Sequence, residues 1–282
     1  MAHCRVGNTA VLMLGLWTVV LLLVSWLASR PALIAMRRRQ LRARPFPDAW
    51  REILKHRVPY VRRLPADLQL QLKRHMQVFI AEKDFVGCDD LEITDEVRVT
   101  IAAQACLLLL NRRTDYFPGL SHILVYPDSF IVKRVRNDPS GVLQEQRQTL
   151  AGESWSQGKV ILSWADVLAG AADVEDGRNV VIHEFAHQLD QEDGVANGAP
   201  VLGRRAYQQR WVEVFTREFT TLQQRAELQQ ASLLDHYGAT DPAEFFAVAS
   251  EVFFERPQQL SAEHPALYEL LSGLYKVNPL SW

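Results

Sequence analysis

VVIHEFAHQLDQEDG, residues 180–194, decides how the rest of the chain is read. His183 and His187 stand four apart, with Glu184 directly after the first. On a helix that spacing puts both imidazoles on one face, able to hold one ion between them. Glu184 projects about 100° round the helix from His183, too far to be a third ligand. It is placed to take a proton from a metal-held water. Val180, Val181, Ile182, Phe185, Ala186 and Leu189 give the segment an apolar helical face. Asp176-Gly177 marks the expected start and Asp193-Gly194 the expected end, where glycine suits a helix C-terminus. A reading without metal leaves two histidines and a glutamate on a strongly apolar helix with no reason to be buried there.

The motif supplies two ligands, and a third must come from elsewhere. One zincin pattern would use Asp193, but it needs a glycine turn where this chain has Asp190 and a methionine turn downstream. The four methionines are Met1, Met13, Met36 and Met76, all upstream. The other pattern takes a glutamate from a later helix. DPAEFFAVASEVFFE offers Glu244 and Glu251, seven apart and hence on one face. Asp241-Pro242-Ala243-Glu244 also reads as a helix cap, with Glu244 reaching back. Glu251 sits deep in an apolar run. The residues alone leave both open.

Around the motif the chain reads as mostly helical. PDAWREILKHRV opens a short helix. PADLQLQLKRHMQVFIAEKDF carries Leu68, Leu72, Met76 and Ile80 at fours and is amphipathic. TDEVRVTIAAQACLLLLN starts on a Thr/Asp cap and becomes wholly apolar, as a central buried helix does. HILVYP, SFIV and GKVILSW, the last over residues 158–164, read as short strands. YQQRWVEVFTREFTTLQQRAELQQ places Trp211, Phe215 and Phe219 on one face for core packing, and PALYELLSGLYKV is a final helix. The predicted class is α+β: a mostly α-helical, zincin-like domain with a small sheet, preceded by one transmembrane helix.

That helix is Thr9–Ala28, twenty residues without a charge. At 1.5 Å per residue it spans a hydrocarbon core of about 30 Å. Cleavage as a signal peptide after Ala28 would put bulky Trp26 where a small residue is needed. One arginine, Arg5, precedes the span; Arg30, Arg37, Arg38, Arg39, Arg42 and Arg44 follow it. Positive charge stays inside, which predicts a single-pass inner-membrane protein with its large part in the cytoplasm. The arginines also suit anionic headgroups. The expected organisation is a tail at 1–8, a span at 9–28, a basic juxtamembrane linker at 29–46 and a peptidase domain at 47–282. A net charge of -2 argues against nucleic acid as a partner. Cys4, Cys88 and Cys106 form no disulfide framework, in keeping with a reduced compartment.

HEFAHQLD, followed by HYGATDPAEFFAVASEVFF, resembles the Mlc titration factor A family of bacterial zinc peptidases. PADLQLQL, ITDEVRVTIAAQACLLLLN and VILSW are similar to that family too, so the likeness covers most of residues 47–282. The family's metal site is similar to that of anthrax lethal factor, where a tyrosine lies seven residues before the ligand glutamate. Tyr237 lies seven before Glu244. The resemblance therefore implies one Zn²⁺ on His183, His187 and Glu244, with Glu184 as general base and Tyr237 as donor to the transition state. Glu251 then orients a histidine, and Asp190 is a further candidate for that supporting role. It implies hydrolysis of a peptide or protein substrate, aminopeptidase-like, and a role in sugar uptake through a repressor resembling Mlc. No stretch of the sequence marks a surface for that repressor. The competing reading is a membrane-tethered protein that sequesters a transcription factor, its zinc site structural. An extended peptide would lie along a strand edge, for which GKVILSW is the candidate.

Overall fold

The computed structural model describes residues 3–128, 130–137, 143–150, 152–155, 158–203 and 205–282. Residues 1–2 of the expected tail, and Ser129 at the head of the expected SFIV strand, lie outside the described residues. The chain divides into two compact units, Met1–Pro45 and Phe46–Trp282.

The first unit is a single helix, α1 (His3–Ala43). Its stretch Gly15–Ala43 is long and apolar enough to cross a membrane. Trp17, Leu21, Leu22 and Leu23 are exposed rather than packed into a core. The helix does not stop where the apolar run stops. It continues through Pro31 and the arginines to Ala43, so most of the expected linker is helical. Ala, Leu, Met, Arg and Gln dominate residues 32–43, and all are strong helix formers.

In the second unit, α2 (Asp48–Arg57) and α3 (Ala66–Glu82) come first, followed by β1 (Asp84–Gly87). The amphipathic reading of α3 extended through Phe85. The helix instead ends at Glu82, and the next residues pair as a strand with β2 (His122–Tyr126). Between them lies α4 (Asp95–Ala105), capped by the Thr94 hydroxyl, which accepts from the N–H of Val97. Val99, Ile101, Ala102, Ala103 and Ala105 are all fully buried. The apolar run beyond them, Cys106–Leu109, tightens into a 3-10 turn.

β3 (Phe130–Asn137) and β4 (Leu143–Leu150) form an antiparallel ribbon in register from Phe130↔Leu150 to Asn137↔Leu143. β5 (Gly152–Trp155) then pairs antiparallel with β6 (Lys159–Ser163). The main sheet has the order β1-β2-β6-β5, with β1, β2 and β6 parallel. β6 is thus paired on both sides. The expectation that GKVILSW offers a free edge to a peptide is overturned: the edges are β1 and β5. The strand also ends earlier than expected. Ser163 caps α5 (Trp164–Ala172), so Trp164 begins a helix.

α6 (Val180–Asp190) carries the histidines. α7 (Arg205–Glu227) turns its aromatic stripe inward, as its spacing predicts. Trp211 stacks on Phe215 at 4.8 Å, and Phe215 meets Phe245 edge-on at 4.8 Å. Phe245 belongs to α8 (Pro242–Glu255), which is followed by α9 (Pro257–Glu263) and α10 (Pro265–Tyr275).

The buried face of α6 rests on an aromatic cluster. Phe79 of α3 lies 5.6 Å from Phe185 and 6.2 Å from both Phe85 and Phe117. Phe79 is fully buried. Phe79→Ala therefore opens a cavity under the histidine helix and should cost about 3–5 kcal/mol, read by denaturant unfolding of the detergent-solubilised chain. A loss below 1 kcal/mol would contradict this packing.

Candidate metal centre

α6 starts three to four residues later than its sequence signals predict. The cap is Asn179, whose side-chain oxygen accepts from the N–H of Ile182 at 3.0 Å. Asn179 is one of the preferred capping residues, but Asp176-Gly177 forms a turn ahead of it. Gly177 takes φ +80°, and Asp176 accepts from the N–H of Arg178. At the far end the α-helix stops at Asp190, and a 3-10 turn over Gln191–Asp193 leads to Gly194 at φ +95°. Asp193 is exposed and points its carboxylate at the N–H of Val195, away from the histidines.

The two imidazoles meet edge to face, with ring centroids 4.9 Å apart. Both turn Nε2 towards one oxygen. Glu244 Oε2 is 3.0 Å from His183 Nε2 and 3.4 Å from His187 Nε2. Three ligands at about 2.0–2.1 Å in tetrahedral array would be about 3.3 Å from one another, so the donor set fits a small divalent cation. Two imidazoles and one carboxylate also leave a fourth coordination position, as a catalytic site requires. This His-His-Glu group can hold a metal ion.

The two glutamates of α8 are separated by what they touch. The capping role expected for Glu244 falls to Asp241, which accepts from the N–H groups of Ala243 and Glu244. That leaves the Glu244 carboxylate on the histidines. Burial pushes its pKa up, but the hydrogen bonds from His183 and His187 outweigh this and hold it well below the usual range. Glu251 takes the opposite edge of the His183 ring, with Oε1 2.7 Å from Nδ1. Its Oε2 accepts from the backbone N–H of Asn179 at 2.6 Å. Burial pulls His183 down, yet the two carboxylates raise its pKa well above the ordinary value. A cation held at Nε2 would take the place of that proton, leaving Nδ1–H to donate to Glu251.

Glu184 is buried, at 3% exposure, between the two histidines in sequence. Tyr237 stands at 41% exposure in the 3-10 turn His236–Ala239, its ring 6.0 Å from that of His183. Asp235 fixes the turn by accepting from the N–H of Tyr237, and its other oxygen pairs with Arg178 at 2.7 Å. Asp190, the other candidate for a supporting role, ends α6 one turn beyond His187 and feels its charge. It is fully buried, and its Oδ2 accepts from the N–H of Gly198 at 2.8 Å. It pins the loop after α6. Gly198 has φ +73°, and a Cβ there would lie 2.2 Å from the carbonyl oxygen of Pro242, so the loop abuts the start of α8.

Sequence reasoning missed Asn179 and Glu255. The Asn179 amide donates to Gln104 Oε1 at 2.8 Å and to Glu255 Oε1 at 3.0 Å. Glu255 is 6% exposed. Burial pushes its carboxyl up to about 9; the Asn179 hydrogen bond pulls the other way, and the Glu251 charge adds to the rise. It is a neutral acid at pH 7.

The sequence model of the glucose-regulated metallo-peptidase M90 family matches residues 33–276. An uncharacterized protein of Synechocystis is 41% identical over 264 residues, 93% of this chain and 96% of the relative. Mlc titration factor A of Klebsiella pneumoniae is 34% identical over 227 residues, covering 79% and 84%. That of an Enterobacter species is 33% identical over 240 residues, covering 83% and 89%.

Two outcomes check this geometry. In a zinc titration against a competing chelator, Glu251→Ala should lose about 10–100-fold in affinity. Glu244→Ala should lose more than that, and the reverse order would reject the assignment. The second concerns Glu255. Its folded pKa of about 9 is above the ordinary 4.5, so the folded state holds the proton longer. The resulting stability is full below pH 4.5 and drains as pH rises towards 9. Glu255→Gln keeps a neutral group and should flatten that fall, seen as the difference between the two proteins' Tm–pH curves. Parallel curves would show that Glu255 is ionised in the fold.

Proposed function

The chain belongs to the glucose-regulated metallo-peptidase M90 family, and from that premise we propose that it is a zinc-dependent peptidase with a zincin-like domain, held at the inner membrane by α1. The observation that carries the reading is the convergence of His183 Nε2, His187 Nε2 and Glu244 Oε2, with Glu184 buried on the same helix. Zinc suits a nitrogen-rich set that ends in one carboxylate, and when bound it lowers the pKa of a water towards about 7. Glu184 takes the proton of the attacking water and later delivers it to the leaving amine. The Tyr237 hydroxyl, in a turn open to solvent beside His183, donates to the developing oxyanion. Glu251 keeps the His183 ring in one tautomer and one orientation throughout.

The substrate is an extended peptide. β5 is the antiparallel edge of the sheet and packs against α6. A chain added to that edge would run past the histidines, its backbone satisfied by β5. This takes the place of the β6 reading. Cleavage at an amino terminus is the form the family resemblance favours. Placing the catalytic unit in the cytoplasm rests on the arginines that follow the apolar run.

The name of the relatives, Mlc titration factor A, favours a second reading, in which the chain captures a repressor at the membrane. One experiment separates them. Glu184→Gln should retain zinc and lose hydrolysis of an amino-acid anilide by about 10²–10⁴-fold. Tyr237→Phe should lose about 10²–10³-fold in kcat. Hydrolysis undiminished in Glu184→Gln would sink the peptidase mechanism, and repressor capture by that inactive variant would support the second reading.

A further inference from the structure

Away from the histidines, the loop after α6 and the end of α10 border an open cavity of about 640 Å³. Its wall includes Arg112, Arg113, Lys276, Glu192, Leu202 and Tyr207. Three cations therefore face one carboxylate. None of the three has an ion pair or a side-chain hydrogen bond to any described residue. The Arg112 side chain is half-buried in that wall. Its Nη1 is buried and has no hydrogen-bond partner among the described residues. Buried donors in native proteins are almost always satisfied, and an unmet charged donor is costly. That nitrogen is sealed from water, and the cavity meets other atoms of the Arg112 side chain.

The cavity is built. Arg112 and Arg113 follow Asn111, whose side-chain amide donates to the backbone oxygen of Lys276 at 3.0 Å. The backbone N–H of Asn111 donates to Gln71 Oε1 at 2.5 Å. The strand of loop carrying both arginines is thus tied to the turn carrying the lysine, and the three charges are held on one cavity before anything binds. Leu202 and Leu274 add apolar surface beside them. A volume of this size suits a small molecule, with the polar groups fixing its orientation.

We propose that this cavity binds a small oxyanion, a phosphate ester or a carboxylate, through Arg112, Arg113 and Lys276. A guanidinium fork matches two oxygens of either group, and the two arginines and the lysine give the cavity wall its positive charge. Lys276 sits at the C-terminal end of α10 and contributes a point charge rather than a fork. The site stands independently of the peptidase reading, since none of its residues is a candidate ligand or base.

The test is binding to the full chain in detergent, with inorganic phosphate and with acetate, at ionic strength fixed by sodium chloride. Saturable stabilisation should appear with one or both anions, raising Tm with concentration as a specific ligand does. Phosphate alone points to a phosphoryl ligand and acetate alone to a carboxylate. Arg112→Gln should abolish it, and Arg112→Lys should keep part of it. Arg113 is exposed, so if Arg112→Gln fails to fold, Arg113→Gln carries the test with an expected loss of at least tenfold in affinity. Stabilisation by neither anion overturns the proposal. So does stabilisation that survives the arginine substitutions and disappears when the metal is removed, because that anion sits at the histidines.

Discussion

The carboxylate of Glu251 joins the two helices on which the site depends. One oxygen accepts from the His183 ring and the other from the backbone N–H of Asn179, at 2.7 and 2.6 Å. A carboxylate buried this deeply is tolerated only when both oxygens are met. The bridge therefore fixes where α8 lies along α6. Glu244 sits seven residues earlier on α8, two turns and about 10.5 Å away on the same face. Once Glu251 is docked at the start of α6, Glu244 can only reach the groups one turn further along, the two Nε2 atoms. A single ring, His183, is held by both, so an error in the docking of α8 appears at the metal face and at the support face together.

The same constraint explains the carboxyl behind it. Glu255 lies one turn beyond Glu251 and meets the Asn179 side chain. Burial keeps its carboxyl protonated, and the neighbouring Glu251 carboxylate adds to the effect. Asn179 collects the arrangement into one residue: its backbone N–H holds Glu251, its amide nitrogen holds Glu255 and Gln104, and its amide oxygen caps α6. On the other side, Asp190 and Gly198 press the following loop against Pro242, at the root of Glu244. α8 is thus located at both ends relative to α6.

What was legible in the sequence was what lies on one helix. The histidine pair and its glutamate follow from spacing alone, as do the common face of Glu244 and Glu251 and the inward stripe of Trp211 and Phe215. What was not legible depends on a distant partner. Glu244 read equally well as a cap because the sequence cannot tell which way a carboxylate turns; Asp241 took the cap and released it. Asn179 was hidden by the turn signals of Asp176-Gly177. Glu255 stands next to Arg256 at a helix end, which reads as surface, and only the packing on Asn179 makes it buried. β1 and β5 are four residues each, too short for a period, and β4 is polar. The run GKVILSW reads as a strand, but its pairing is decided by β5, which reaches it through a ribbon that its own residues say nothing about.

That ribbon bears on what the sheet can do. In a sheet of three parallel strands, each crossover covers a face with helix and the end strands are usually shielded. Here the β3–β4 ribbon lets the chain return and add β5 antiparallel to β6. Among the described residues no strand pairs with the outer N–H and C=O groups of β5, the ordinary hazard of an edge strand. Placed anywhere else it would invite unwanted pairing. Placed against α6, the same groups can hold an incoming backbone in a fixed direction relative to His183 and His187, and selection falls to the side chains around it. The antiparallel edge is therefore a consequence of that connection: without the ribbon the chain could not return to add β5 beside the histidine helix.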